Sequence, residues 1–289
     1  MIRLLAPLAC ALTLGCRDPE PSVDLGRLAP PSSRSSEEPV AVPGDADHRR
    51  LHPNEPEGHR PITRRGFRKR GEARGWKDLD SENLQFLVDR RRGAEPTPAA
   101  RMLFPRGWRG GTAPARAEFP IPKAEQPKQI YVSYWLKVSD NWFGHPVVSK
   151  IGYVWIGGRP KFYAGLVGKG RGPQRLQARL QNYFVKPAQG GNLDIRGGGE
   201  FTRGTWHHCE YVLVANTPGR PDGMVRWWMD GKLVGQATDI AWVGPGESAV
   251  WERVSWRPIW GGSGSQIPED QYMYIRSLYV SGKSAPDRR

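Results

Sequence analysis

Met224-Val225-Arg226-Trp227-Trp228-Met229-Asp230-Gly231-Lys232-Leu233-Val234-Gly235-Gln236 carries its own turn. Asp230-Gly231 is a pair favoured at the tip of a two-residue hairpin, because both positions accept positive φ at little cost. The flanking residues are rich in the aromatic and branched types that suit a pleated surface. The segment predicts two antiparallel strands.

Working outward, the same texture repeats. Leu84–Val88, Arg101–Phe104, Ile130–Val138, Val147–Ile156, Lys161–Val167, Arg175–Phe184, Trp206–Val214 and Tyr272–Val280 are short apolar runs between Gly, Pro or Asp turns. Several alternate with period two, and no segment sustains a 3.6-residue period. With the hairpin they make ten strands, which implies an all-β protein of two packed antiparallel sheets, a β-sandwich over residues 74–283. Residues 284–289 read as a disordered tail.

The chain before residue 74 is different. Of twelve Trp only Trp76 precedes residue 100, so the apolar mass lies in the later two-thirds. Residues 16–73 are rich in Pro, Ser, Glu and Arg, and they read as a disordered basic tether. The tether ends in the run Arg64-Arg65-Gly66-Phe67-Arg68-Lys69-Arg70. That run is a solvated charge cluster or an electrostatic contact to anionic lipid; little aromatic interleaving argues against specific nucleic-acid binding. Met1–Gly15 has the positive start and short apolar stretch of a secretory signal. Leu12-Thr13-Leu14-Gly15-Cys16 resembles the lipobox of bacterial lipoproteins, which implies cleavage before Cys16 and lipidation there. Arg17 in place of Asp then implies export to the outer membrane or cell surface, the alternative being plain secretion. Of the three Cys only Cys209 stays in the folded part, too few for an internal disulfide. It reads as a small core residue.

The formal charge is +14, and nine Lys or Arg within residues 141–199 face the single carboxylate Asp194. Such a local excess points to an anionic partner. Within that region Arg175–Phe184 is the most informative strand. Leu176, Ala178 and Leu180 point one way, with Asn182 and Phe184 in phase. Arg175, Gln177, Arg179, Gln181 and Tyr183 point the other way and form a ridge able to grip carboxylates and hydroxyls. The bland alternative is the solvent side of an edge strand.

Three stretches then belong together. They are Gly204-Thr205-Trp206-His207-His208-Cys209-Glu210-Tyr211-Val212-Leu213, the hairpin strand Val225–Gly231 with Asn216-Thr217-Pro218-Gly219 before it, and the closing Tyr274-Ile275-Arg276-Ser277-Leu278-Tyr279-Val280-Ser281-Gly282. They resemble the concanavalin A-like lectin/glucanase superfamily, and within it the jelly-roll polysaccharide lyases. The resemblance implies a jelly roll with a concave groove for a sugar chain. In it Lys150, Arg175, Gln177, Arg179, Gln181, Tyr183 and Trp228 would bind glycan. Trp142, Trp155, Trp228, Trp256 and Trp260 are the expected exposed rings, while Trp135, Trp206 and Trp227 are expected to anchor the core. His208 shares a face with Trp206 and Glu210, as a groove wall or a buried hydrogen-bonded set.

Three functions remain open from sequence. One is an acidic-polysaccharide-binding lipoprotein. Another is a lyase cleaving a uronic acid polymer by β-elimination, with Arg179 and Gln181 neutralising the carboxylate and Tyr183 or His145 as base. A third is an adhesive module whose exposed Trp meet a protein partner. The Glu-x-Asp-x-x-Glu stretch of the related β-glucanases is missing, which disfavours paired-carboxylate hydrolysis. The Gln-Ile-His and Tyr-Phe-Lys-Ala-Gly signatures of alginate lyases are missing too, and Tyr183-Phe184-Val185-Lys186 matches the second only in part. No phosphate loop, zinc spacing or serine elbow is present, so no cofactor is expected. Relatives of the superfamily sometimes hold a structural Ca²⁺, but no Asp-rich loop commits this chain to one.

Overall fold

The computed structural model describes residues 45–79, 82–90, 96–184, 197–262 and 264–284. The signal segment, Cys16, the first part of the tether and residues 285–289 lie outside the described residues. After a short helix, α1 (Asp45–Leu51), come strands β1 (Arg60–Arg65), β2 (Lys77–Leu79), β3 (Leu84–Asp89), β4 (Thr97–Phe104) and β5 (Arg116–Pro120). They are followed by β6 (Gln129–Val138), β7 (Ser149–Ile156), β8 (Arg159–Val167), β9 (Gln174–Leu180) and β10 (Gly199–Phe201). The last five are β11 (His207–Val214), β12 (Gly223–Met229), β13 (Lys232–Ile240), β14 (Trp251–Trp260) and β15 (Gln271–Lys283).

Two antiparallel sheets result. Sheet A runs β13-β12-β11-β6-β15-β4-β3, with β1 also on β15, and sheet B runs β10-β9-β8-β7-β14-β5-β2. They pack face to face as a jelly-roll β-sandwich. The side-chain period of two sorts each strand into a core face and an outer face. On β11, Cys209, Tyr211 and Leu213 enter the core; on β9, Leu176, Ala178 and Leu180 do so. The Met224–Gln236 hairpin is β12–β13. Asp230 and Gly231 take φ of 52° and 77°, as the turn requires. Gly235 lies opposite Trp227, and a Cβ there would come within 2.0 Å of the indole, so only glycine lets that ring lie flat in the core.

The structure corrects several expectations. The tether is not structureless from Asp45 onward. β1 pairs with Leu278–Gly282 of β15, Arg65 is buried in an ion pair with Asp78 at 2.5 Å, and Phe67 is fully buried. β15 is thirteen residues long, and β4 pairs with only its first part; β1 takes up the backbone groups left over. Average composition hides so short a strand. Trp142, Trp256 and Trp260, expected to be exposed, are core residues, whereas Trp135 is half-buried on the outer face of sheet A. β14, which carries Trp251, Trp256 and Trp260, escaped the sequence reading because Pro258 and two register shifts interrupt its alternation.

Candidate functional site

Sheet B turns a line of polar and aromatic side chains outward. Arg179 on β9 is paired with Tyr163 on β8, Tyr163 with Tyr153 on β7, Tyr153 with Ser255 on β14, and Ser255 with Glu118 on β5. This register sets the five groups in one line across five strands. Beside it lie Gln177, Lys150 and Ile259; on the other side lie Trp155 and Arg253. Register shifts fall at Lys150/Gly152 and Val154/Trp155 on β7 and at two places on β14. Bulges of this kind bend and twist a sheet. The line is recessed: Tyr163 is 0% exposed, Ser255 3%, Tyr153 6% and Arg179 8%. Yet the described strands all lie within the two sheets, and α1 packs on sheet A. Val148, Ile259 and Ala113 pack against Tyr153 and Tyr163, and we call this recessed strip of the outer face the furrow.

Its centre is cationic. The Lys150 ammonium lies 4.8 Å from the Tyr163 ring centroid and 5.7 Å from that of Tyr153, and donates to Gln181 Oε1 at 3.4 Å. Burial, then the charges of Arg179 and Arg257, hold its pKa below the ordinary lysine value. Burial pushes the Tyr153 phenol above its ordinary range, with Arg257 opposing. Gln181 is itself fixed by donating to the Pro160 carbonyl at 3.1 Å. Arg253 lies 4.6 Å over the Trp155 ring and 3.5 Å from Glu118, which ends the line with the charge of Arg116 at 3.8 Å. Gln177 Oε1, Ser255 Oγ, Trp155 Nε1 and Arg257 Nε are shielded from solvent and meet no hydrogen-bond partner among the described residues. Buried polar atoms are rarely left so, and others of this kind among the described residues include His59 Nε2, Arg65 Nε and Trp108 Nε1.

The structure thus brings together Lys150, Gln177, Arg179 and Gln181, with Arg175 exposed at the rim and donating to the Gly198 carbonyl. Tyr183 leaves the ridge. β9 stops at Leu180, Asn182 takes a left-handed φ of 52°, and the reversal lets Tyr183 pack half-buried against the main core. His145 is buried elsewhere: its ring meets Trp260 edge-on and its Nδ1 accepts from the Val147 N–H at 3.0 Å. Burial holds its pKa below the ordinary histidine value. Trp228 belongs to β12 of sheet A and packs with Tyr131, Val212 and Tyr279, on the far side of the sandwich from Arg179. Neither residue shares the furrow. Sequence reasoning missed Tyr153, Tyr163 and Arg257. In Lys161–Val167 both faces are apolar or small, so periodicity gives no phase, and Arg257 sits on the unread strand.

Among the described residues no group of three His, Cys, Asp or Glu is placed to hold a metal ion, and no helix is long and apolar enough to cross a membrane. No protein-family model and no curated protein matches the chain. Solved structures do. A variant alginate lyase in complex with alginate trisaccharide is 17% identical, with a TM-score of 0.54, covering 65% of this chain and 82% of that one. The endo-β-1,4-glucuronan lyase of the fungus Trichoderma reesei is 13% identical, with a TM-score of 0.55 and coverage of 78% and 96%. The marine alginate lyase of Aplysia kurodai is 16% identical, with a TM-score of 0.51 and coverage of 72% and 90%. The chain therefore shares the jelly-roll β-sandwich of polysaccharide lyases.

Proposed function

We propose that this protein binds an acidic polysaccharide lengthwise in the furrow of sheet B. One observation carries the reading: Lys150, Arg179 and Arg257 converge around two buried tyrosines, beside polar atoms that no described protein group satisfies. A uronate carboxylate would take the cations, and sugar hydroxyls would meet Gln177, Gln181 and Ser255. Strands are spaced about 4.8 Å apart, close to the rise of a sugar residue, so a chain crossing the sheet meets a new strand with each unit. The neighbouring folds support the reading, because alginate and glucuronan are what those lyases act on.

A second reading is favoured by the position of Tyr163, directly across from Arg179 and beneath the Lys150 ammonium. Arg179 and Gln181 would neutralise the carboxylate, making the proton on the adjacent carbon acidic. The Tyr163 phenolate would take that proton. The electron pair of the broken C–H bond would form the new C=C bond as the glycosidic C–O bond breaks, and the departing oxygen would take the proton from the Tyr163 hydroxyl so formed. This assigns the base to Tyr163 rather than to Tyr183 or His145.

Purified protein is incubated with alginate, glucuronan, pectate and heparin, following binding by calorimetry and unsaturated product by ultraviolet absorbance. Binding without absorbance supports a glycan-binding module. Absorbance that falls roughly 100-fold or more in Tyr163→Phe supports the lyase. Failure to bind any of the four would sink both readings.

A further inference from the structure

The opposite face of the sandwich carries a device that the furrow does not explain. We propose that residues 45–59 form a strap that closes on the outer face of sheet A at neutral pH and is released by acid while the sandwich beneath stays folded.

The strap is held almost wholly by polar groups. Leu51, its one large aliphatic residue, is 40% exposed. Asn54 donates through its backbone N–H and its side-chain amide to the two oxygens of Glu210, at 3.2 and 2.8 Å, and Tyr131 donates to the same carboxylate at 2.7 Å. Glu55 accepts from the Tyr279 hydroxyl at 2.9 Å and pairs with His48. The His52 ring stacks on Tyr279 at 4.1 Å, and its Nδ1 lies 3.2 Å from Ser133 Oγ. His59 Nδ1 lies 3.2 Å from Ser281 Oγ.

Ser133 is the centre of the seat. Its hydroxyl lies between His52 Nδ1 and His208 Nε2, the latter at 3.0 Å. A hydroxyl has one hydrogen, so it donates to one ring and accepts from the other, and the arrangement needs at least one neutral imidazole. Ser133, His208 and Glu210 (Nδ1 to carboxylate, 3.6 Å) have the spacing of a nucleophilic relay. Ser133 lies mid-strand in β6, however, with paired strands on both sides, so no pair of free N–H groups is left to hold an oxyanion. Seating the strap is the role that this geometry supports.

The groups facing His52 are His48 and Glu55 of the strap, Arg64 of β1, Tyr131 and Ser133 of β6, His208 and Glu210 of β11, and Tyr279 of β15. Burial, then His48, lowers its pKa from 6.5 to about 3, against an upward pull from Glu55. Burial lowers His59 as well; Gln129 and Glu55 oppose this and Lys283 adds to it. His208 is lowered by burial against Glu210 and Asp230. A histidine with a depressed pKa in the closed state favours closure above its ordinary pKa, and that favour is lost as pH falls from 6.5 towards 3. Two pH units below 6.5, His52 alone shifts the closed-to-open ratio about a hundredfold.

Hydrogen exchange of the full chain, corrected for intrinsic rates, tests this at pH 7.5 and pH 4.5. Peptides from residues 45–59 are expected to lose about a hundredfold of protection at the lower pH while β6, β11 and β15 keep theirs. In the double variant His52→Gln and His59→Gln, strap protection should change much less with pH, whether that variant's strap is closed or open. Equal protection of the native strap at both pH values, loss of the sheet together with the strap, or an unaltered pH response in the double variant would overturn the proposal.

Discussion

On the outer face of sheet A, the fully buried Glu210 carboxylate receives donors from Asn54 and Tyr131, and His52 and His208 share Ser133. On the outer face of sheet B, Gln177 Oε1, Ser255 Oγ and Arg257 Nε are just as shielded but meet no partner among the described residues. Both faces mix tyrosines, tryptophans and charged groups, so composition does not separate them. What separates them is where the buried polar groups find satisfaction. A buried polar atom costs a few kcal/mol unless it is paired. Sheet A meets much of that cost with a segment of its own chain, although His59 Nε2 and Arg65 Nε stay unpaired among the described residues, whereas on sheet B no described segment supplies such partners.

The sharpest way to break this contrast is to strip the furrow. Lys150→Ala combined with Arg179→Ala should weaken binding of an acidic polysaccharide by roughly 100-fold or more, since each charge-assisted hydrogen bond is worth about 1.5–3 kcal/mol. Trp228→Ala, on the far sheet, should leave affinity within about twofold. Calorimetry on both proteins decides: equal losses would show that the furrow is not the site.

The reverse cut is Glu210→Ala. The Tyr131 hydroxyl and the Asn54 donors lose their acceptor, so denaturant unfolding should report a loss of about 2–3 kcal/mol with furrow affinity unchanged. An unaltered midpoint would mean that the sheet A network is not structural.

The smallest effect sharpens the comparison most. Lys150 is held below its ordinary pKa of 10.5 by burial and by Arg179 and Arg257, so its surroundings disfavour the charged form. The unfolded chain binds that proton more readily, so this penalty fades as pH rises from the lowered pKa towards 10.5. Lys150→Met should therefore raise the thermal midpoint of the empty protein slightly at neutral pH while reducing ligand binding. A lowered midpoint would remove the argument that this charge is kept for a ligand.

Much of the fold was legible along the chain. The Asp230-Gly231 turn, the period-two runs and the inward set Leu176, Ala178 and Leu180 are local signals, and each holds in the structure. Part of the candidate site was legible too, because Arg175, Gln177 and Arg179 alternate on one strand. Tyr183 was not, since a single left-handed residue, Asn182, turns the chain before it. Nor was β1, whose Arg-rich sequence gains its order from a partner more than two hundred residues away.

By itself the sequence determined ten of the fifteen described strands, where the tight turn falls and that residues 141–199 are strongly cationic, because these depend on neighbours two to four positions apart. Only the tertiary structure decided which outer face is covered. It also decided that Tyr163 stands across from Arg179, and that Trp228 and Arg179 lie on opposite sides of the sandwich. Those facts follow from inter-strand register and sheet order, which bring together residues far apart in the chain and leave no trace in local periodicity.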